Sequence, residues 1–122
     1  PEYVDSPVVE HADLFVAFSQ PAYRKFYELC EGRVLYDPEL VEQVRADEPA
    51  RHVAVPATQL SKERFSNQLF ANMIMLGALT RLSALDREAM RRAMLAVIPR
   101  FHAQNVAALD LGYSLPEVAA RT

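Results

Sequence analysis

The sequence predicts an α/β fold, a Rossmann-like open and mainly parallel sheet with flanking helices and a helical C-terminal half. Three features carry that expectation. Short apolar runs alternate with helical spacing as far as Pro56, no strand signal follows Thr58, and Asn67 to Thr80 is apolar on every side. A chain of 122 residues fits one domain, residues 1–122, with a core of its own.

Pro1 to Glu10 holds two prolines among alternating polar and apolar residues and reads as an extended approach or edge segment. Ala12 to Ser19 is nearly continuously apolar and rich in β-formers, the pattern of a strand buried on both faces. Pro21 suits a first helical turn, after which Tyr23, Phe26, Tyr27 and Cys30 recur at helical spacing until Gly32 ends the helix. Arg33 to Asp37 makes a second strand and Asp37-Pro38 a turn. Glu39 to Arg45 reads as a short helix and His52 to Pro56 as a third strand. Repeated strand-helix-strand units require parallel strands joined by right-handed crossovers.

In the second half, Thr58 is placed to cap a helix through Phe65 and Ser66 to cap the central helix. Asp86 is placed to cap a third helix that stops at Pro99. Met90, Ala93, Met94, Val97 and Ile98 form the third helix's apolar stripe. A fourth, Arg100 to Leu111, turns Phe101, Val106, Ala108 and Leu109 inward and ends at Gly112 as a left-handed cap, leaving the tail after Tyr113 peripheral. Within the central helix Gly77 costs roughly 1 kcal/mol of helix propensity relative to alanine, which makes sense where another backbone packs close. A buried Asn72 must find hydrogen-bond partners, and a strand-end loop would supply them.

Charge and composition exclude several classes. The formal charge is −3, which gives no reason to expect nucleic acid or an anionic membrane as partner. Arg81, Arg87, Arg91, Arg92 and Arg100 are interleaved with Asp86 and Glu88, the look of a solvated face. Arg64 and Arg81 bracket an apolar run too short to span a bilayer. The single cysteine, Cys30, allows no internal disulfide and suits a reducing compartment, so the expected location is cytoplasmic. No secretory signal is visible, although the chain opens at Pro1 rather than methionine.

The chemistry-bearing positions are few. The only glycines are Gly32, Gly77 and Gly112, so no Gly-rich phosphate loop follows the first strand. In an open parallel sheet the ligand crevice lies at the carboxyl ends of the strands, which selects Ser19, Gln20, Asp37 and Pro56-Ala57-Thr58. The plainer reading makes Asp37 a turn residue and Ser19 and Thr58 helix caps. His11, His52 and His102 lack metal-ligand spacing, and Cys30, on the apolar face of its helix, reads as core packing. No catalytic or metal-binding residue is expected.

Three stretches together look like one family: Val55-Pro56-Ala57-Thr58, Ala71-Asn72-Met73-Ile74-Met75-Leu76-Gly77-Ala78-Leu79, and Asn105-Val106-Ala107-Ala108-Leu109-Asp110-Leu111-Gly112-Tyr113. They resemble the gamma subunit of 2-oxoacid:ferredoxin oxidoreductases. Asn72 with Gly77 and Asn105 with Gly112-Tyr113 are the most specific elements, and the resemblance covers most of Val4 to Tyr113. It departs at the front, where the family's Gly-rich strand-loop-helix has no counterpart. The resemblance implies a gamma-type subunit that holds no cofactor, working with alpha, beta and delta-type subunits. Those partners would carry thiamine diphosphate, Mg and iron–sulfur clusters, convert a pyruvate-like or 2-oxoglutarate-like acid to its coenzyme A thioester, and reduce ferredoxin. It also implies that Ser19, Asp37 and Thr58 line the crevice nearest coenzyme A or a partner subunit, and that Asn72 bonds backbone near the strand-end loops. Two other classes remain beside it: a free-standing nucleotide-binding enzyme, and a non-enzymatic module that forms a homo-oligomer.

Overall fold

The computed structural model describes residues 12–83 and 85–116, with side chains from Leu14 onward, so the expectations for Pro1 to Glu10 and for the tail beyond residue 116 lie outside the described residues. Three parallel strands, β1 (Ala12–Ala17), β2 (Cys30–Tyr36) and β3 (His52–Ala54), form a sheet in the order β1-β2-β3. The register aligns Ala17, Tyr36 and Ala54 in one row. Helix α1 (Gln20–Phe26) links the first two strands, and α2 (Ala57–Phe65), α3 (Ala71–Ser83), α4 (Arg87–Val97) and α5 (His102–Tyr113) follow the sheet. The expected α/β architecture with its helical second half is what forms.

Each sheet face carries its own core. On one, Leu35, Val53 and Val55 meet Phe70, Ile74, Met75, Ala78 and Ala108 from the helical half. On the other, Ala17, Val34 and Cys30 meet Tyr23, Tyr27 and Val41. Burial on both faces therefore belongs to the middle strand, where Val34 and Leu35 are both fully buried. β1 pairs only with β2 among the described residues, its Leu14, Phe15 and Val16 are half-buried, and Phe18 beyond its end is 45% exposed.

α3 is the core helix the apolar pattern predicted, burying Ile74, Met75, Gly77, Ala78, Thr80 and Leu82. Its closest partner is α5, and the contact is made by two glycines. A Cβ on Gly77 would collide with the Leu109 carbonyl oxygen and lie 2.8 Å from the Tyr113 nitrogen. A Cβ on Gly112 would collide with the Ile74 carbonyl oxygen and lie 3.0 Å from the Ala78 nitrogen. The close backbone approach read from Gly77 is present, and Gly112 completes it from the other helix. Gly112 is thus an interior helical residue and not a left-handed cap; no glycine has positive φ, and Ser114 closes the helix.

Asn72 does not do what the sequence suggested. It is exposed, the one exposed residue of α3, and makes no side-chain hydrogen bond among the described residues. Asn105, by contrast, is buried and donates through Nδ2 to the Phe101 carbonyl at 2.9 Å, holding the turn that opens α5.

Several boundaries also move. α1 stops at Phe26 and a 3-10 turn, Tyr27–Leu29, delivers the chain into β2, so Cys30 and Gly32 are strand residues rather than the end of a helix. Glu39 to Arg45 is irregular. The amide hydrogens that a helix would aim at its own carbonyls are taken by α1 side chains: Gln43 N–H donates to Gln20 Oε1 at 2.9 Å and Arg45 N–H to Tyr23 Oη at 2.8 Å. Ser66, with φ of 56°, closes α2 in the left-handed region instead of opening α3. The opening falls to Asn67, whose Oδ1 accepts from Leu69 N–H at 2.9 Å ahead of the 3-10 turn Gln68–Phe70. Asp86 caps α4 as expected, but only Met94 of the apolar stripe is buried and Val97 is 77% exposed. Phe101 precedes α5 with φ of 58° and lies half outside, a backbone state that costs a bulky residue about 1 to 3 kcal/mol.

Gly77→Ala and Gly112→Ala should each cost about 3 kcal/mol of stability, because the added methyl meets backbone that cannot rotate away. Asn72→Ala should stay within about 0.5 kcal/mol of the parent. Urea denaturation of the three variants checks both, and a Gly77→Ala protein as stable as the parent would contradict the helix crossing.

Candidate functional site

The carboxyl ends of the strands are where a parallel sheet offers a crevice, and the row Ala17, Tyr36, Ala54 brings the ends of β1, β2 and β3 side by side. After β1, the Ser19 hydroxyl accepts from Ala22 N–H at 3.1 Å and caps α1. Beside it, Gln20 uses its whole amide on one residue. Nε2 donates to the Gln43 carbonyl at 2.7 Å while Oε1 accepts from the Gln43 amide, so the side chain pairs with residue 43 as a strand would.

After β2, Asp37 is buried to 1% exposure and each carboxylate oxygen is engaged. Oδ1 accepts from Glu39 N–H at 3.0 Å, and Oδ2 accepts from the Thr58 N–H at 2.8 Å and the Thr58 hydroxyl at 2.7 Å. Thr58 lies in the first turn of α2, whose preceding residue, Pro56, supplies no side-chain cap. Asp37 therefore does from β2 what Thr58 was expected to do from within its own helix. A carboxylate at a helix N-terminus is favoured both by the free amides and by the helix dipole. Asp37 and Thr58 are thus brought together directly, whereas Gln20 pairs with residue 43 and Ser19 caps its own helix. All four bond within the chain, and none is placed as nucleophile or general base.

A second polar cluster went unread in the sequence. It ties the 37–51 segment across the sheet face that a crossover helix would otherwise cover. Tyr23 and Tyr27, four residues apart on adjoining turns, present both hydroxyls to this segment. His52 Nδ1 faces the Glu48 carbonyl at 2.9 Å, which can only accept, so Nδ1 carries the hydrogen. His52 Nε2 lies 2.7 Å from the Tyr23 hydroxyl, within hydrogen-bond distance, and the same hydroxyl oxygen accepts from Arg45 N–H. The ring stacks on Tyr27 at 5.6 Å and 8°. Tyr27 donates to Glu48, which Arg51 Nη1 also reaches at 2.8 Å. Arg51 further donates to the carbonyls of Gly32 and Cys30, completing the edge of β2 where β3 is too short to reach. The spacing of Tyr23 and Tyr27 was visible, but apolar periodicity counts such rings as core and ignores their hydroxyls.

Electrostatics follow from these contacts. Burial first, and then the bond to Glu48, push the Tyr27 phenol from 10.0 up to about 12. The same bond lowers Glu48 below the usual carboxylate range, and Arg45 does the same for Asp47. Among the described residues no three His, Cys, Asp or Glu side chains gather as a metal-ligand set, and Cys30 is buried with its thiol directed at the Arg33 carbonyl.

Comparison with known proteins supplies the rest. The family model described as pyruvate ferredoxin/flavodoxin oxidoreductase matches residues 1–115. The chain is 34% identical over 119 residues to 2-oxoglutarate synthase subunit KorC of Methanocaldococcus jannaschii, covering 93% of this chain and 64% of that protein. It is 37% identical over 97 residues to ketoisovalerate oxidoreductase subunit VorA of Methanothermobacter marburgensis, covering 76% of this chain and 20% of that one. The chain thus spans less than two thirds of the curated relatives it matches. Among solved structures, the gamma subunit of a keto/oxoacid ferredoxin oxidoreductase from Geobacter sulfurreducens superposes with a TM-score of 0.78 at 26% identity, over 97% of this chain and 68% of that one.

Two outcomes follow from the geometry. Asp37→Ala should cost about 3 kcal/mol, since it leaves the buried Thr58 hydroxyl and the α2 amides unpaired, while Thr58→Val should cost about 1 kcal/mol. Because Tyr27 holds its proton more tightly folded than unfolded, its contribution is complete below pH 10 and disappears as pH rises through about 12. Alkaline unfolding followed by circular dichroism should therefore be less steep over that interval in Tyr27→Phe.

Proposed function

The chain belongs to the pyruvate ferredoxin/flavodoxin oxidoreductase family, and from that premise we propose that it is the gamma-type part of a multisubunit 2-oxoacid:ferredoxin oxidoreductase, contributing to assembly rather than to the chemical steps. The carrying observation is the state of the strand-end crevice. Asp37 and Thr58 bond to each other and Gln20 bonds to residue 43, so the side chains of these three crevice residues are already engaged within the chain. The relatives agree with this reading, being named as subunits of 2-oxoglutarate synthase and ketoisovalerate oxidoreductase and as an oxoacid oxidoreductase gamma subunit.

On this proposal the complex oxidatively decarboxylates a 2-oxoacid to an acyl-coenzyme A in the cytoplasm and passes the electrons to ferredoxin. Thiamine diphosphate, magnesium and the iron–sulfur clusters belong to alpha, beta and delta-type partners. A four-thiolate cluster does not fit this chain, because its one cysteine is buried and turned toward a carbonyl. Consequently no step of the reaction is assigned to this chain. Any approach of coenzyme A would be along the surface beside Ser19 and Gln20, the half-buried members of the crevice.

Affinity purification of the protein from its native source tests the proposal. Recovery of a thiamine-dependent, cluster-bearing partner in stoichiometric amount is expected, and a clean homo-oligomer without such a partner would overturn it. In the recovered complex, Ser19→Ala and Gln20→Ala should raise the coenzyme A concentration needed for half-saturation or weaken assembly. If both quantities stay unchanged, the crevice faces neither.

A further inference from the structure

The end of α2, the turn Gln68–Phe70 and the start of α5 enclose a hollow of about 450 Å³ on the surface. Its floor is aromatic: Phe65 and Phe70 lie 5.1 Å apart, and Phe101 meets Phe70 edge-on at 6.2 Å. Two large apolar side chains at its mouth face water, Leu69 at 59% and Phe101 at 48% exposure. One cation, Arg64, belongs to its wall, and a second, Arg100, stands near it. Arg64 has neither hydrogen bond nor ion pair among the described residues, and the Arg100 guanidinium sits 5.9 Å over the Phe101 ring. Among the described residues no acidic side chain lines the hollow, in a chain whose formal charge is −3.

From this combination we infer that the hollow receives a segment of a partner subunit presenting an apolar side chain beside a carboxylate. The inference rests on the subunit reading above. The apolar member enters between Leu69 and Phe101, where removal of exposed aromatic and aliphatic surface from water supplies the attraction. The carboxylate meets Arg64, whose forked donors suit a carboxylate and whose charge lacks a partner within the described residues. Charge complementarity selects this occupant over a basic or purely apolar segment. The ring of Phe101 is aimed at the hollow by the left-handed turn that Asn105 holds through the Phe101 carbonyl.

The test uses the complex recovered from the native source or reassembled from its co-expressed subunits. Leu69→Asp, Arg64→Glu and Phe101→Asn, the last compatible with the left-handed turn, should each weaken association by about tenfold or more while the melting temperature of the isolated chain does not fall. Arg64→Gln should also reduce the salt dependence of the dissociation constant. Association and salt dependence equal to wild type in all four variants would overturn the inference. So would loss of self-association alone, which would identify a second copy of this chain as the occupant. If the unmutated chain recovers no partner, the subunit reading itself has failed.

Discussion

Two glycines decide how closely the helical half can pack on itself. Gly77 of α3 faces the Leu109 carbonyl, and Gly112 of α5 faces the Ile74 carbonyl, so each helix replaces a side chain with the other's backbone. That approach places Ala108 and Leu109 at the core with Ile74 and Ala78. The sheet layer depends on it in turn, because Leu35, Val53 and Val55 are covered by side chains that α3 brings down. Glycine lowers helix propensity at both positions, and burial of the whole α3–α5 seam outweighs that local cost.

The opposite face is built on a different principle. Between β2 and β3 the chain forms no regular helix, and residues 37–51 are held over the sheet by polar groups of α1 and its following turn. The amide of Gln20 and the hydroxyl of Tyr23 take backbone amides that a helix would have used internally, and Arg51 substitutes for missing strand at the edge of β2. At the strand ends the Asp37 carboxylate is consumed by Thr58. On this face and at the strand ends, the polar side chains of Gln20, Tyr23, Asp37 and Arg51 are therefore engaged by groups of the same chain. Features without such partners among the described residues lie at the surface: the Phe65–Phe70–Phe101 hollow with Arg64, and the exposed Asn72 of α3.

Much of this was legible in advance because it depends on local pattern. The three strands, the buried central helix, the Asp86 cap and the breaks at Pro56 and Pro99 all follow from apolar periodicity and from what proline and short polar side chains do to backbone. The candidate site was only half legible. Position along a parallel strand selected Asp37 and Thr58, but their bond joins residues 21 apart, and neither residue announces the other. The stretch Glu39 to Arg45 fails as a helix for the same reason, since its competitors for hydrogen bonds sit on α1.

The sequence by itself determined the class of fold, the helix that would be buried and the presence of a close backbone contact at Gly77, because each depends on the chemistry of neighbouring residues. Tertiary structure alone decided what those elements touch. It made Gly112 the answering half of the helix crossing rather than a cap, moved Cys30 from helix to strand, and turned Asn72 outward. The physical reason is that hydrogen-bond partners and packing neighbours are chosen by three-dimensional proximity, and a side chain's type states what it can bond without stating which groups the fold will bring within reach.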